Sequence, residues 1–288
     1  MSAYKTIEKN LNEMTFNDYY NRLKLLAKSA FKWENLPNCI DEKWIEKYLF
    51  EEGRCMFFKD KEKGFMVTKC TDGGMVNYYD EPTILRPVAT NYDGSGATYD
   101  NNEECVLIRN NDDCIPTIST IKLYAYRLAE ISRTIDINIS AMKTPTLITC
   151  SEKQRLTLKN VYHQWNENEP VIFGSKDLDL SGVSVLKTDA PVVFDKLQLQ
   201  KHQIWNECMT FLGINNANMD KRERLVDDEV QANNDQIEMC SQLMLKNREL
   251  ACKRINELFN TNIKVSFRNA TEGDFEGSGE DEKKEDKE

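Results

Sequence analysis

The sequence of 288 residues contains few of the features that mark membrane proteins, metal sites or nucleotide-driven motors. No apolar run approaches the roughly 18 residues of a membrane-spanning helix, and the amino-terminal residues lack the apolar core of a secretion signal. Nine cysteines are scattered without a Cys-X-X-Cys pair, and no Gly-X-X-X-X-Gly-Lys phosphate loop occurs. We therefore expect a cytosolic protein without a membrane span or a cofactor, whose cysteines are small buried hydrophobic residues.

Histidines and clustered carboxylates offer few candidate metal ligands. His163 and His202 are the only histidines, and neither lies at ligand spacing from the other or from a cysteine pair. The carboxylates at 227–229 leave open a metal-dependent nuclease, but adjacent side chains point apart and the run also fits a solvated segment. The Gly-Ser-Gly at 94–96 is predicted to be a hairpin tip rather than a phosphate cradle, because no strand-to-helix frame surrounds it.

The net charge of −10 is concentrated at the carboxyl end. Residues 271–288 hold nine acids and three lysines, so this tail carries −6 and the remainder of the chain only −4. Binding nucleic acid through a general basic surface needs many lysines and arginines facing phosphates, which this composition does not supply. From Asn269 onward the glycine-rich, serine-containing and charged composition predicts a disordered acidic tail over 269–288.

Residues 188–213 are predicted to form a helix of about six turns. Thr188 or Asp189 can cap its start, and Gly213 can end it in the left-handed conformation. Its apolar side chains recur at helical spacing, with charged and amide side chains between them. A segment rich in asparagine and charge, 214–232, follows and is predicted to be a long mobile loop.

Helical spacing of apolar residues predicts four further helices. They cover residues 15–34, 41–51, 119–142 and 234–259. Residues 1–14 have no such period and are predicted to be a frayed, flexible segment. The helix at 119–142 keeps its apolar spacing over about three heptads, as in a helix packed along a neighbour. The pattern leaves open whether that neighbour belongs to the same chain.

Strand patterns predict β structure in three places. Short apolar runs broken by turns at 54–116 indicate a small antiparallel sheet or barrel. The alternation at 262–268 predicts a strand that joins this sheet. TLITC at 146–150 and PVIFG at 170–174 each predict a strand, with a short helix between them, so that 144–185 forms a compact α/β insert.

The order of residues, beyond their periodicity, carries a family resemblance. The stretches concerned are VLKTDAPVVFDKL, WNECMTFLGINNAN and MDKRERLVDDEV within residues 185–230, and FKWENLP, KTPTLI, LTLKNVYHQWNENEPVIF and NRELACKRINELFNTNIKVSFR elsewhere. Together they closely resemble the portal proteins, also called upper collar or head-tail connector proteins, of the small short-tailed phi-twenty-nine-like phages. The resemblance runs in register over residues 16–268 and is weak between 71 and 104.

The resemblance implies the phage portal fold, mainly α-helical with a small β-rich subdomain of SH3-like or barrel type, and long stem helices around a central channel. The implied divisions are stem helices at 15–34, 119–143 and 188–213, a wing at 35–118, a clip at 144–187, a channel loop at 214–232, and a helix and strand of the crown and wing at 233–268. The periodicity of apolar residues predicts the helices and strands, but it does not assign them to stem, wing, clip or crown.

The resemblance gives a role to basic residues within the stretch 185–230. In a lone chain they would be solvent-facing charges, but the matching positions of those relatives project into the channel and repeat around a ring. Sparse rings of positive charge on an otherwise acidic wall permit weak, exchangeable phosphate contacts without base readout. The residues expected to face DNA are Lys187, Lys196, Lys221, Arg222 and Arg224.

The implied function is that of a non-enzymatic subunit of a dodecameric ring at one capsid vertex, through which double-stranded DNA is packaged and ejected. The expected partners are other copies of the chain, the DNA, the major capsid and scaffolding proteins, a separate packaging ATPase, and the lower collar and tail proteins. A packaging RNA stays open, because this chain has only Lys5 and Lys9 where those relatives begin with a strongly basic segment. A ring-forming collar or adaptor without a packaging role is the alternative.

Overall fold

The computed structural model describes residues 2–94, 96–142, 146–148, 183–185, 193–215 and 227–268. Two compact units are distinguished, the first with Met1–Glu130 and Gln200–Glu288, the second with Ile131–Leu199. The helices are α1 (Ser2–Ser29), α2 (Glu42–Glu52), α3 (Ile118–Met142), α4 (Phe194–Phe211) and α5 (Asp227–Phe259). The strands are β1 (Phe31–Glu34), β2 (Arg54–Asp60), β3 (Gly64–Asp72), β4 (Ile84–Val88), β5 (Tyr99–Asp100), β6 (Cys105–Arg109), β7 (Thr146–Ile148), β8 (Val183–Val185) and β9 (Lys264–Phe267).

Strands β2 to β6 form one antiparallel sheet, in the order β5-β4-β3-β2-β6, which confirms the small sheet predicted for 54–116. Both faces of β2 are covered. Cys55 and Phe57 lie in a core shared with α2 and α5, whereas Met56 and Phe58 lie in a second core with residues of β4 and β6. The apolar run CMFF is thus a strand buried on both faces.

Residues 31–34 form strand β1, which pairs with β9 as a separate two-stranded sheet, Trp33 opposite Val265. Two predictions were wrong here: residues 31–34 do not end a helix, and the strand at 262–268 does not join the larger sheet. Phe31 and Trp33 are buried while the residues after each are exposed, a period of two that fits a strand and not a helix. The partner strand lies near the other end of the chain, so no local pattern reveals it.

Helix α1 begins at Ser2. The prediction of a frayed segment over 1–14, with the helix starting at Thr15, was therefore wrong. Residues 2–14 contain neither proline nor glycine, and their lysine, glutamate, leucine and methionine residues favour a helix. The helix therefore continues toward the amino terminus without needing an apolar stripe. Its Leu23 is fully buried and fixes the other half to the rest of the first unit.

Helix α2 confirms the predicted short helix. The carboxylate of Asp41 accepts a hydrogen bond from the backbone N–H two residues on, at 3.0 Å, and Gly53 ends the helix with a φ of 75°. Ile45 and Leu49 are fully buried. Trp44 is 45% exposed, although it is a large apolar residue next to Ile45, because the buried face is centred further round the helix.

Helices α1, α3 and α4 pack together in the first unit. Leu23 of α1, Leu128 of α3 and Cys208 of α4 are each fully buried in one cluster. The predicted helix at 119–142 is confirmed by α3. The sequence left open whether the neighbour of this helix belongs to the same chain. The first half of α3 packs against α1 and α4 of the same chain.

Helix α4 begins at Phe194, later than the predicted start at 188. The predicted cap residues, 188–189, lie outside the described residues. Its predicted end is confirmed. Gly213 has a φ of 72°, and the N–H of Ile214 donates to the carbonyl of Met209 at 2.9 Å. This pattern satisfies carbonyl groups at the end of the helix, as in a left-handed cap.

Helix α5 begins at Asp227, so the predicted loop over 214–232 was too long. Residues 216–226 of that segment lie outside the described residues. The acids at 227–229 suit the first turn of a helix, where the dipole favours negative charge. The predicted apolar stripe of this helix is confirmed by the buried residues Ile237, Met244, Ala251 and Ile255.

In the second unit, β7 and β8 pair antiparallel, with Thr146 opposite Val185. The strand predicted at 146–150 is confirmed in its first part, but its partner, β8, was not predicted. The strand predicted at 170–174 and the helix before it lie outside the described residues.

Two remaining predictions concern a turn and the tail. Strands β4 and β5 are antiparallel neighbours, so the segment that contains Gly94 and Gly96 is a hairpin connection, as predicted. Ser95 lies outside the described residues, as does the tail, 269–288, for which disorder was predicted.

Candidate nucleic-acid interface

Of the five basic residues predicted to face DNA, the structure describes one. Lys196 lies in the first turn of α4 and is exposed, as is the neighbouring Asp195. A cation in the first turn of a helix opposes the helix dipole, and the adjacent carboxylate offsets this effect. The other four lie outside the described residues: Lys187, Lys221, Arg222 and Arg224.

Within the first unit, α4 presents a polar outer side. Gln200, Gln203 and Glu207 recur at helical spacing and are all exposed. Glu207 accepts a hydrogen bond through Oε1 from the Tyr124 hydroxyl of α3, at 3.1 Å. Because amides and a carboxylate offer few cationic contacts to phosphate, this side of α4 can touch a polyanion only weakly.

The inner side of α4 is fixed against α1 and α3. Cys208 is fully buried between them, and the Lys201 ammonium lies 5.6 Å from the centroid of the Tyr19 ring. Burial, together with the hydrogen bond to Glu207, raises the pKa of Tyr124 to about 12. Apolar packing and the hydrogen bond to the buried Tyr124 phenol therefore both hold this helix in place.

A buried ion pair joins α5 to α2, and sequence analysis missed it. The Arg248 guanidinium meets the Glu46 carboxylate through two hydrogen bonds of 2.9 Å, and both side chains are 2% exposed. The remaining N–H groups donate to the carbonyls of Met244 at 3.0 Å and Asn110 at 3.2 Å, and to the Asn110 side-chain oxygen at 3.1 Å. All five guanidinium N–H groups thus have an acceptor.

The surroundings of this pair extend to strand β1. The Trp33 indole N–H donates to Glu46 Oε1 at 2.9 Å, and the Arg248 guanidinium lies 3.9 Å from the centroid of the Phe31 ring. The pair therefore ties α2, α5, β1 and the turn after β6 together. A signal was present in the sequence, because Arg248 falls on the buried stripe of α5, four residues after Met244.

Cysteines and histidines complete the inventory of reactive groups. Cys39 is exposed, contrary to the expectation of buried cysteines, and Cys114 and Cys240 are half-buried. Burial raises the pKa of the Cys252 thiol to about 12, so this group is a protonated core residue near neutral pH. His202 is half-buried on α4, and His163 lies outside the described residues. Buried thiols that confirm the expectation are Cys55, Cys70, Cys105, Cys208 and Cys252.

The described ranges contain neither a cluster of metal-binding side chains nor a membrane-spanning helix. There, no group of three His, Cys, Asp or Glu side chains is placed to hold a metal ion. None of the described helices is both long enough and apolar enough to cross a bilayer. The backbone places 227–229, the residues behind the nuclease alternative, in the first turn of α5.

Comparison with known proteins adds a family and a fold. The family model described as Phage Connector (GP10) matches residues 2–272. Among solved structures, the chain is similar to "Portal and tail of native bacteriophage P68", with 16% identity and a TM-score of 0.56 over 93% of this chain and 91% of that chain. At this identity the likeness shows the fold alone, which is a portal-like fold of helices and an antiparallel sheet.

Two further structures align with lower scores. The first is "Virion of native gene transfer agent (GTA) particle", with 9% identity and a TM-score of 0.48 over 90% of this chain and 83% of that chain. The second is an HK97 family phage portal protein from Corynebacterium diphtheriae, with 10% identity and a TM-score of 0.39 over 86% of this chain and 91% of that chain.

Proposed function

The chain belongs to the phage connector family, and on that premise we propose that it is a portal subunit that assembles into a dodecameric ring at one capsid vertex. Double-stranded DNA enters the head through this ring during packaging and leaves through it at ejection. The observation that carries the proposal is the extent of the family match, residues 2–272 of 288. The family is a structural one and not a class of enzymes, which does not favour the nuclease alternative.

The proposal assigns parts of the ring to elements of the fold. Helices α1, α3 and α4 form the stem, the five-stranded sheet is the wing, and residues 144–187 form the clip. Residues 214–226 form a channel loop, and α5 with β9 leads to the crown and wing. We place the chain among the phi-twenty-nine-like connectors, because its residue order resembles theirs.

The mechanism rests on weak contact with DNA. A net charge of −10 gives the ring a repelling background, on which isolated cations such as Lys196 offer phosphate contacts that exchange readily. Lys196 opposes the dipole of α4, so its position does not serve helix stability, and a role in contacting phosphate is consistent with it. Because contacts with phosphate carry no sequence information, any DNA sequence can pass.

The partners follow from the same role. The ring binds the major capsid and scaffolding proteins at the vertex and the lower collar and tail proteins outside it. Force for packaging comes from a separate ATPase, since the sequence has no phosphate loop. The clip is the docking site for that ATPase. Whether a packaging RNA takes part is a question for binding experiments, given the weakly basic first residues.

Ring formation is the first test. The purified chain of 33.4 kDa is expected to form a closed ring of about 400 kDa, visible by mass photometry and by negative-stain imaging. A compact monomer that persists at high concentration contradicts the proposal. Tail-less procapsids separate a portal from an adaptor, because a portal remains in them and an adaptor that joins head to tail does not.

Removal of the loop cations is the second test. Replacing Lys221, Arg222 and Arg224 together by alanine removes three positive charges per subunit from the proposed channel loop. Retention of packaged DNA is expected to fall, measured as the fraction of heads that keep a full genome, while ring assembly is unchanged. The exposed cation Lys61, replaced by alanine, is the matched control. Loss of assembly before loss of retention would assign the loop to the subunit interface instead.

A further inference from the structure

The connection between β3 and β4 is an ordered arch, residues 74–81, which we call the tyrosine tip. Val76 forms an isolated antiparallel bridge with Pro82, and the N–H of Thr83 donates to the carbonyl of Met75 at 3.0 Å. The N–H of Asn77 donates to the carbonyl of Glu81 at 2.9 Å. Backbone bonds therefore close the arch across its width.

The side chain of Asn77 organises the turn itself. Its Oδ1 accepts hydrogen bonds from the backbone N–H groups of Tyr79, at 2.8 Å, and Glu81, at 3.0 Å. Arg109 Nη2 donates to the Glu81 carboxylate at 2.8 Å, and this hydrogen bond lowers the pKa of Glu81. The conformation of the tip is thus set by polar groups and does not depend on its large side chains.

Those large side chains face solvent. The exposed fractions are 103% for Tyr78, 85% for Tyr79, 61% for Met75 and 58% for Val76. Side chains as exposed as these bury little area within one chain and contribute little to its stability. Pre-organised tyrosines are frequent anchors of protein interfaces, because they bury much area at a low entropy cost.

A second exposed face lies on α5, opposite its buried stripe, and we call it the α5 outer stripe. Met239 is 66% exposed, Leu243 54% and Leu250 42%. Lys246 and Lys253 fall at the same helical spacing and are exposed as well. Within the described part of the chain, neither lysine forms an ion pair.

We propose that the tyrosine tip of one copy docks on the α5 outer stripe of the next copy in the ring. The inference rests on the proposed function, since it assigns two faces of the subunit contact. Both faces combine large apolar side chains with charge, and the charges are complementary: the tip carries the exposed Asp80, and the stripe carries Lys246 and Lys253.

The geometry of a ring supports this pairing. Within one chain the tyrosine tip and the α5 outer stripe do not cover each other, since the side chains of both are exposed. A head-to-tail interface that closes by rotation needs two different, complementary patches on each copy. The stripe from Met239 to Lys253 runs for about 21 Å along the helix, long enough for an arch with two tyrosines at its end.

Charge reversal tests the pairing between copies. Asp80→Lys and Lys246→Glu, each alone, place like charges together and are expected to raise the concentration for half-maximal ring assembly by about tenfold, measured by mass photometry. The two changes in one chain restore opposite charges and are expected to recover most of that loss. Glu103→Lys, an exposed carboxylate on the same sheet region, is the control and leaves assembly unchanged.

A photo-crosslinking residue at position 78 identifies the occupant directly. In rings mixed from isotopically heavy and light copies, crosslinks from position 78 are expected to reach residues 239–253 of a different copy. Crosslinks to another part of the chain, or to another phage protein in assembled heads, overturn the proposal. Circular dichroism melting of each variant shows that the chain still folds. If the unmodified chain forms no ring, the proposed function fails; if it forms one and the charge reversals leave assembly unchanged, only this inference fails.

Discussion

The ion pairs Arg248–Glu46 and Arg22–Asp18 use the same chemical groups in opposite surroundings. The first has an N–O distance of 2.9 Å with both side chains 2% exposed, and the second 2.7 Å with exposures of 62% and 51%. In water, screening and side-chain entropy cancel most of the attraction, whereas a buried charge that loses its partner has no hydration to replace it. The exposed pair, Arg22–Asp18, therefore contributes less to stability although its N–O distance is shorter. Burial, and not distance, decides how much stability is lost when either pair is broken.

Breaking the buried pair gives the largest expected effect. Glu46→Ala leaves the Arg248 guanidinium in the core without its carboxylate, and it also leaves the Trp33 indole N–H without its acceptor. We expect a loss of about 3–5 kcal/mol in the free energy of unfolding, measured by urea denaturation followed by circular dichroism.

Removing both charges provides the matched control for that measurement. Glu46→Leu combined with Arg248→Met fills a similar volume without charge and is expected to be closer to the wild type than Glu46→Ala. A loss below about 1 kcal/mol for Glu46→Ala would mean that water reaches the guanidinium.

Loss of the hydrogen bond between Tyr124 and Glu207 is expected to have an intermediate effect on stability. Because the pKa of Tyr124 rises from 10.0 to about 12 in the folded protein, the folded state holds the phenol proton more tightly. Its contribution to stability is complete below pH 10 and is lost as the pH rises toward 12. The effect on the free energy of unfolding reaches at most about 3 kcal/mol, since one pKa unit corresponds to about 1.4 kcal/mol.

Tyr124→Phe isolates this contribution from other alkaline titrations. The difference in melting temperature between the wild type and the variant is expected to shrink between pH 10 and pH 12. A difference that stays constant over this range would show that the phenol is hydrated in the folded state.

The exposed pair gives the smallest expected effect. Asp18→Ala breaks the contact with Arg22 on α1 and is expected to change the free energy of unfolding by less than about 0.5 kcal/mol. The change is expected to shrink further in about 1 M salt, which screens exposed charges. A loss of unfolding free energy comparable with that of Glu46→Ala would indicate that another copy of the chain covers this part of α1 in solution.

Elements with a strong local pattern were predictable from the sequence. The buried stripe of α5, the cap of α2 at Asp41 and the left-handed end of α4 at Gly213 follow from spacing and from residue type. The failures are of another kind. Strand β1 was taken for a helix end because its partner, β9, lies far away in the chain, and pairing between distant segments leaves no local signal.

The candidate site was less predictable than the fold. The sequence singled out cations by resemblance, and of these Lys196 alone lies among the described residues. The buried Arg248 was passed over because charged residues are expected on the surface, although its position on the apolar stripe marked it. An exposed tip such as the one at Tyr78 has no sequence signature, since exposure is a property of the folded chain.

The pairing of β1 with β9 has a consequence for synthesis of the protein. Trp33 emerges from the ribosome long before Val265, its partner in the strand that covers it. The first unit therefore cannot finish folding until β9 has been made, and until then Phe31 and Trp33 lack the strand that pairs with theirs.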